Sequence, residues 1–172
     1  MTVSFRYDAK PLPSLQGLDT HERVVYLGTF SKTLFPGLRL SYMVVPKPLI
    51  NSFTRGLSQI YRPGQLVLQA ALSDFIREGY FASHIRRMRT IYSERQQEMR
   101  RALNEYFGEL ICISQSNSGL HLTIVFNEAL NISKMTTIAA SKNISLRELK
   151  VYQQDEEAKQ GYVLGFGGGT KR

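Results

Sequence analysis

The sequence predicts an α/β protein built as two lobes joined by one long helix. Val24–Gly28 and Leu40–Val45 are short, continuously apolar and bounded by turn residues, as buried strands are. Residues 80–107 carry apolar side chains at alternating steps of three and four, the seam of a helix packed along its length. Beyond Gly108 short apolar runs resume, separated by turns and one further helical segment. At 172 residues the chain is long enough for a domain, or a domain and a half, with a real core.

Residues 1–23 hold Pro11, Pro13 and Gly17 without a period and predict an extended lead-in. After the second strand, Pro46 and Pro48 open a short helix that ends near Gly56. Gln65–Glu78 has helical spacing through Leu68, Leu72, Phe75 and Ile76 and stops at Gly79. In the long helix the seam runs through Ile85, Met88, Tyr92, Met99, Ala102 and Tyr106, with Arg95 at the position between. A helix bridging two lobes accounts for it; coiled-coil dimerisation is the second reading. Arg95 on that stripe points either to a buried ion pair or to a subunit contact.

In the second lobe, Leu110–Ser114 and Leu120–Phe126 read as strands around an Asn117-Ser118-Gly119 turn. Asn131–Lys142 is helical in pattern, with Asn131 or Ser133 as cap. Ile144–Leu146 and Tyr162–Phe166 are the last strands, and Gly165–Gly169 reads as a frayed end. Cys112 reads as core, His121 as a structural histidine and Asp8 as a turn residue. The domain division expected is 1–79, 80–107 and 108–172.

Composition is that of an ordinary globular protein, 42% hydrophobic and 21% charged. No apolar run approaches the ~20 residues that cross a bilayer, and the start is no signal peptide. A single cysteine excludes an internal disulfide and fits a reducing cytoplasm. The net charge is +8, and six arginines lie between His84 and Arg101. That run reads as a solvated helix face, although a basic domain binding nucleic acid is a further option. Nothing has the form of a recognition helix or a zinc finger. The three histidines share no metal-ligand spacing.

Chemistry concentrates in Thr29-Phe30-Ser31-Lys32-Thr33-Leu34-Phe35-Pro36-Gly37-Leu38-Arg39-Leu40. An amine just past a buried strand, between small hydroxyl residues, is placed to form an imine with a carbonyl. A Pro-Gly turn returns the chain so that Arg39 can reach the same place, and a forked guanidinium with nearby hydroxyls suits a phosphate. On these residues alone, a surface lysine after an edge strand is an equal reading.

This stretch closely resembles the pyridoxal-phosphate lysine segment of fold-type-I aminotransferases, and above all their relatives inside MocR-type members of the GntR family of transcriptional regulators. Similarity extends through Ser4-Phe5-Arg6-Tyr7-Asp8, Pro11-Leu12-Pro13-Ser14-Leu15-Gln16-Gly17-Leu18-Asp19, His84-Ile85-Arg86-Arg87-Met88-Arg89 and Gly119-Leu120-His121-Leu122. The resemblance implies the latter half of a fold-type-I transferase: the end of a large-domain sheet, a long bridging helix and a small C-terminal α/β lobe. It implies Lys32 as the Schiff-base lysine and Thr29, Ser31 and Arg39 as ligands of the phosphate of pyridoxal 5'-phosphate.

The resemblance further implies a homodimer, an amino compound as effector or substrate, and DNA binding only through a winged-helix domain outside this chain. The family's phosphate loop and the aspartate that pairs with the ring nitrogen are not matched here. Val163 stands where aminotransferases carry the arginine for the substrate carboxylate. Each lost charge-assisted contact costs ~1.5–3 kcal/mol, so weak or absent cofactor binding is expected of the chain alone. The leading expectation is a partial cofactor-binding effector domain of a regulator, more a ligand sensor than a working enzyme. The alternative is a fragment of a class I/II aminotransferase.

Overall fold

The structure, a computed structural model, describes residues 5, 7, 13–60, 64–115, 118–153 and 159–168. Asp8, Asn117 and Gly169, each given a part above, lie outside the described residues. The chain divides into two compact units, one reaching Met88 and the other running from Arg89 onward together with Phe5 and Tyr7.

Of the extended lead-in expected over 1–23, residues 1–4, 6 and 8–12 lie outside the described residues, and a single helical turn, α1 (Leu15–Leu18), stands in the remainder. Ser14 explains it, because its hydroxyl accepts from the Gly17 N–H at 3.1 Å. Asp19 then folds the chain back by accepting from the N–H groups of His21, Arg23 and Val24. Those bonds, that to His21 foremost, hold its carboxyl below the usual carboxylate range.

Strands β1 (Tyr26–Thr29) and β2 (Ser41–Val44) pair antiparallel in the register Tyr26↔Val44 to Thr29↔Ser41. The expectation that both are buried is corrected. Leu27 and Thr29 are exposed, and so is every residue of β2. One face carries an aromatic group, with Tyr26 and Phe30 both against Tyr42 and Phe81 edge-on to Phe30. The other face, with Leu27 and Met43, has no further strand beside it among the described residues. Apolar strands were thus recognised correctly, but their cover is not supplied by the described residues.

A 3-10 turn at Lys47–Leu49 leads into α2 (Ile50–Ile60), which runs through Gly56 instead of ending there. One mid-helix glycine costs ~1 kcal/mol, too little to stop a helix by itself. Helix α3 (Leu66–Arg77) falls where its spacing put it. Gly79, at φ +81°, ends it in the left-handed conformation that glycine adopts without penalty.

Helix α4 (Tyr80–Phe107) begins in the first unit and continues into the second. Its seam departs from the expected stripe at one end: Tyr106 is 78% exposed, whereas Leu103 is buried and Phe107 packs on the core. The inward residues are Ile85, Met88, Tyr92, Gln96, Met99, Leu103 and Phe107. From Ile85 through Gln96 to Phe107 the step is eleven residues in three turns, which suits a straight helix better than a heptad. A strict three-four stripe drifts off that face by its third repeat.

The second unit holds a four-stranded antiparallel sheet in the order β3 (Ile111–Ile113), β4 (His121–Phe126), β6 (Gly161–Gly165), β5 (Arg147–Glu148). Alternation along β4 turns Leu122, Ile124 and Phe126 inward, onto Leu103, Ile111, Tyr162 and Phe166. Tyr92 and Met99 of α4, and Ile132 and Met135 of α5 (Ile132–Ser141), close over this core. Asn131 caps α5 by accepting from the Lys134 N–H at 2.9 Å.

Ile144–Leu146 does not form the expected strand. Asn143 takes φ +59° and the Ile144 N–H returns to the Ala139 carbonyl, so these residues finish α5 and the strand starts at Arg147. Cys112 is exposed, not core: Ile111 packs on the core face, so the alternation of β3 turns the thiol to the opposite one. Arg95 enters no ion pair among the described residues. Its Nη1 donates to the Gly167 carbonyl at 2.8 Å, and Phe166 is buried, so the glycine-rich end is anchored as far as Gly167.

Candidate functional site at the hairpin connection

The connection from Phe30 to Leu40 is a closed structure. The Phe30 N–H donates to the Leu40 carbonyl at 3.1 Å, which joins its two ends. Within it, the N–H groups of Thr33 and Leu34 both return to the Phe30 carbonyl, forming a tight turn over Ser31 and Lys32. Pro36 then starts a single 3-10 turn to Leu38, its fixed φ being suited to a first helical position.

Three residues anchor the connection: Thr33, Leu38 and Leu40 are buried. Between the two leucines Arg39 is exposed and takes φ +50°, a left-handed conformation that strains a non-glycine residue. Lys32 is exposed beside buried Thr33. Among the described residues neither cation enters an ion pair, so both remain available to an anion or a carbonyl.

Thr29 and Ser31 are in direct contact, the Ser31 N–H donating to Thr29 Oγ1 at 3.2 Å. Thr29 Oγ1 also reaches the Leu40 carbonyl, at the 3.5 Å limit of a hydrogen bond. All four residues singled out from the sequence therefore lie on β1 or the connection that follows it. The donor set, a primary amine with two hydroxyls and a guanidinium, fits an aldehyde that carries a phosphate. No carboxylate lies on this connection to face a ring nitrogen.

Sequence reasoning gave no role to two residues at the start of α4. The Phe81 ring lies 5.9 Å from that of Phe30, and His84 Nε2 is 2.9 Å from the Thr33 carbonyl. The separations are 51 residues in each case, so no local pattern could announce them.

In the second unit Val163 is half-buried, flanked by Thr123 on one side and Arg147 on the other. The Arg147 guanidinium donates to Tyr152 Oη at 2.9 Å. A concavity of about 530 Å³ opens beside the sheet, with Cys112, Thr123 and Val125 in its lining. Among the described residues no helix is long and apolar enough to cross a membrane.

Comparison with known proteins places this geometry in a family. The model of aminotransferase class I and II matches residues 3–157. The probable rhizopine catabolism regulatory protein MocR of Rhizobium meliloti is 38% identical over 95% of this chain and 33% of its own length. The HTH-type transcriptional regulator YhdI of Bacillus subtilis is 35% identical over 95% of this chain and 35% of its own. The chain thus spans about a third of the curated relatives it matches. Among solved structures, the kynurenine aminotransferase of Pyrococcus horikoshii, crystallised with PMP, superposes with a TM-score of 0.78 at 26% identity, over 95% of this chain and 40% of that one. The hairpin, the long helix and the small antiparallel lobe are accordingly part of a fold-type-I aminotransferase architecture, and the chain belongs to the aminotransferase class I and II family as a domain of the kind found in MocR-type transcriptional regulators.

Proposed function

We infer that the chain is the lysine-bearing portion of a ligand-sensing domain that uses pyridoxal 5'-phosphate to govern a transcriptional regulator. Lys32 would hold the cofactor at its aldehyde, and Thr29, Ser31 and Arg39 would hold its phosphate. The cofactor supplies the reactive carbonyl through which an amino compound is recognised. This chain's residues supply the amine, orient it on a short turn, and neutralise the phosphate. In the intact, cytoplasmic protein, an amino compound is the effector, a homodimer is the working state, and DNA is contacted through a winged-helix domain outside these residues.

The observation that carries this reading is the exposed Lys32, in no ion pair among the described residues, on a tight turn next to Ser31 and on the same connection as Arg39. Sensing is favoured over catalysis by Val163, which offers no charge to a substrate carboxylate where the resemblance expects an arginine. Likeness in fold to a kynurenine aminotransferase keeps the enzyme as the second reading.

The test is titration of the chain with pyridoxal 5'-phosphate, reduction with borohydride and mass analysis of the lysine-containing peptides. Capture concentrated at Lys32 and abolished by Lys32→Ala is expected, with weak affinity in the isolated chain. Label spread evenly over the exposed lysines would refute the assignment. Conversion of amino donors to keto products by the intact protein would favour the enzyme.

A further inference from the structure

We propose that His84 is a positioning residue for Lys32, acting through the Thr33 carbonyl; the role rests on the assignment of Lys32 above. Phe81 and His84 stand one helical turn apart on the same face of α4, a face that also buries Ile85 at 8% exposure. Phe81 packs edge-on against Phe30, and His84 Nε2 meets the Thr33 carbonyl at 2.9 Å. Phe30 and Thr33 are the two residues that flank Ser31 and Lys32. The start of the long helix therefore holds both shoulders of the turn and leaves its tip free.

The hydrogen bonding inside the turn makes His84 necessary. The Thr33 N–H and its Oγ1 both turn back to the Phe30 carbonyl. Its own carbonyl is the polar group left to face outward, on a residue only 4% exposed. A carbonyl accepts and never donates, so Nε2 carries the proton and His84 is the donor. Without that donor a buried acceptor loses its partner, and the turn's cheapest remedy is to open toward water. Opening would swing Lys32 away from Ser31 and Thr29.

The test uses the 172-residue chain with His84→Ala, His84→Phe and His84→Gln. Alanine removes the imidazole, phenylalanine fills its space without a donor, and glutamine restores an N–H at similar reach. Hydrogen exchange, read without cofactor on the peptide covering residues 30–38, should quicken about three- to tenfold in the alanine and phenylalanine variants and return toward wild type with glutamine. The peptide covering residues 121–126 serves as the control and should not change.

In parallel, borohydride trapping of pyridoxal 5'-phosphate is read at Lys32 against Lys134. The yield at Lys32 should fall severalfold in the two donor-less variants and recover with glutamine. Unchanged exchange, or unchanged trapping at Lys32 despite faster exchange, would overturn the positioning role. A wild-type chain that traps nothing selectively at Lys32 would overturn the functional assignment instead. The exchange measurement then decides the clamp by itself.

Discussion

Tyr42 occupies the space that any side chain at Gly28 would need: a β-carbon there would run into the Tyr42 ring. The two are direct partners across β1 and β2, and the ring is held from both sides by Tyr26 and Phe30. It cannot give way without disturbing the turn that carries Lys32. Gly28→Ala should destabilise the first unit by about 1–3 kcal/mol, the usual cost of overpacking. Adding Tyr42→Ala should recover part of that loss, as urea unfolding of the single and double variants would reveal.

In the second unit the fully buried Tyr162 brings a polar atom into the core and satisfies it twice. Its hydroxyl bonds to Thr136 Oγ1 at 3.0 Å and to the Ile132 carbonyl at 3.1 Å. Tyr162→Phe should cost about 0.5–1.5 kcal/mol, because only the hydrogen bonding is lost while the ring keeps its packing. Tyr162→Ala should cost about 3–5 kcal/mol, in the range for deleting a large aromatic from a core. Equal losses in the two variants would mean that the ring contributes nothing, contrary to its burial.

Tyr7 donates to the Gly119 carbonyl, and burial, helped by the neighbouring Tyr92 phenol, pushes its pKa up to about 12 from the ordinary 10. A raised pKa means that the folded state favours the protonated phenol. The associated stability is present in full below pH 10 and is lost as pH rises through about 12. Unfolding measured across that alkaline window should show a decline that Tyr7→Phe flattens. A parallel decline in both proteins would assign it to other groups.

Arg39 combines an exposed guanidinium with a left-handed backbone, so the fold and the proposed phosphate contact ask different things of the position. Arg39→Gly should leave stability unchanged or raise it by up to about 1 kcal/mol, since glycine adopts that backbone without steric cost. Capture of pyridoxal 5'-phosphate at Lys32 should nevertheless fall severalfold. Loss of stability in this variant would show the guanidinium to be a structural group.

The elements that could be read in advance are those with a complete local signal. α4 was expected over 80–107 and found there, because the glycines on either side mark its ends, while its apolar steps mark its face only as far as Met99. β4 was equally plain, and of the two caps open for α5, Asn131 and Ser133, the structure uses Asn131. Position in a sheet was not plain. Cys112 is apolar by character and sits in an apolar run, yet strand alternation turns it outward, a register that only pairing with Val125 settles. The Ile144–Leu146 run looked like a strand because its role in closing α5 depends on Asn143 adopting a positive φ.

The candidate site followed the same division. Thr29, Ser31, Lys32 and Arg39 lie within a dozen residues, and the family resemblance of that one stretch grouped them where the residues alone left a surface lysine equally open. His84 lies 51 residues from Thr33, and nothing near it in the chain foretells a bond to a carbonyl. Arg95 and Gly167 are farther apart still. Long-range hydrogen bonds to backbone atoms carry no residue-type signature at the accepting end, so they escape inspection of the sequence.

Leu27 and Met43 share their face of the hairpin with Thr29 and Ser41, so oily and hydroxyl-bearing pairs stand side by side in open water. Any surface that covers the first pair must come within reach of the second. A solubilising charge placed there, such as Leu27→Lys, would ease handling of the isolated polypeptide. It would also set an ammonium beside Thr29 and Ser41, a charge that any apolar surface docking on this face would have to strip of water.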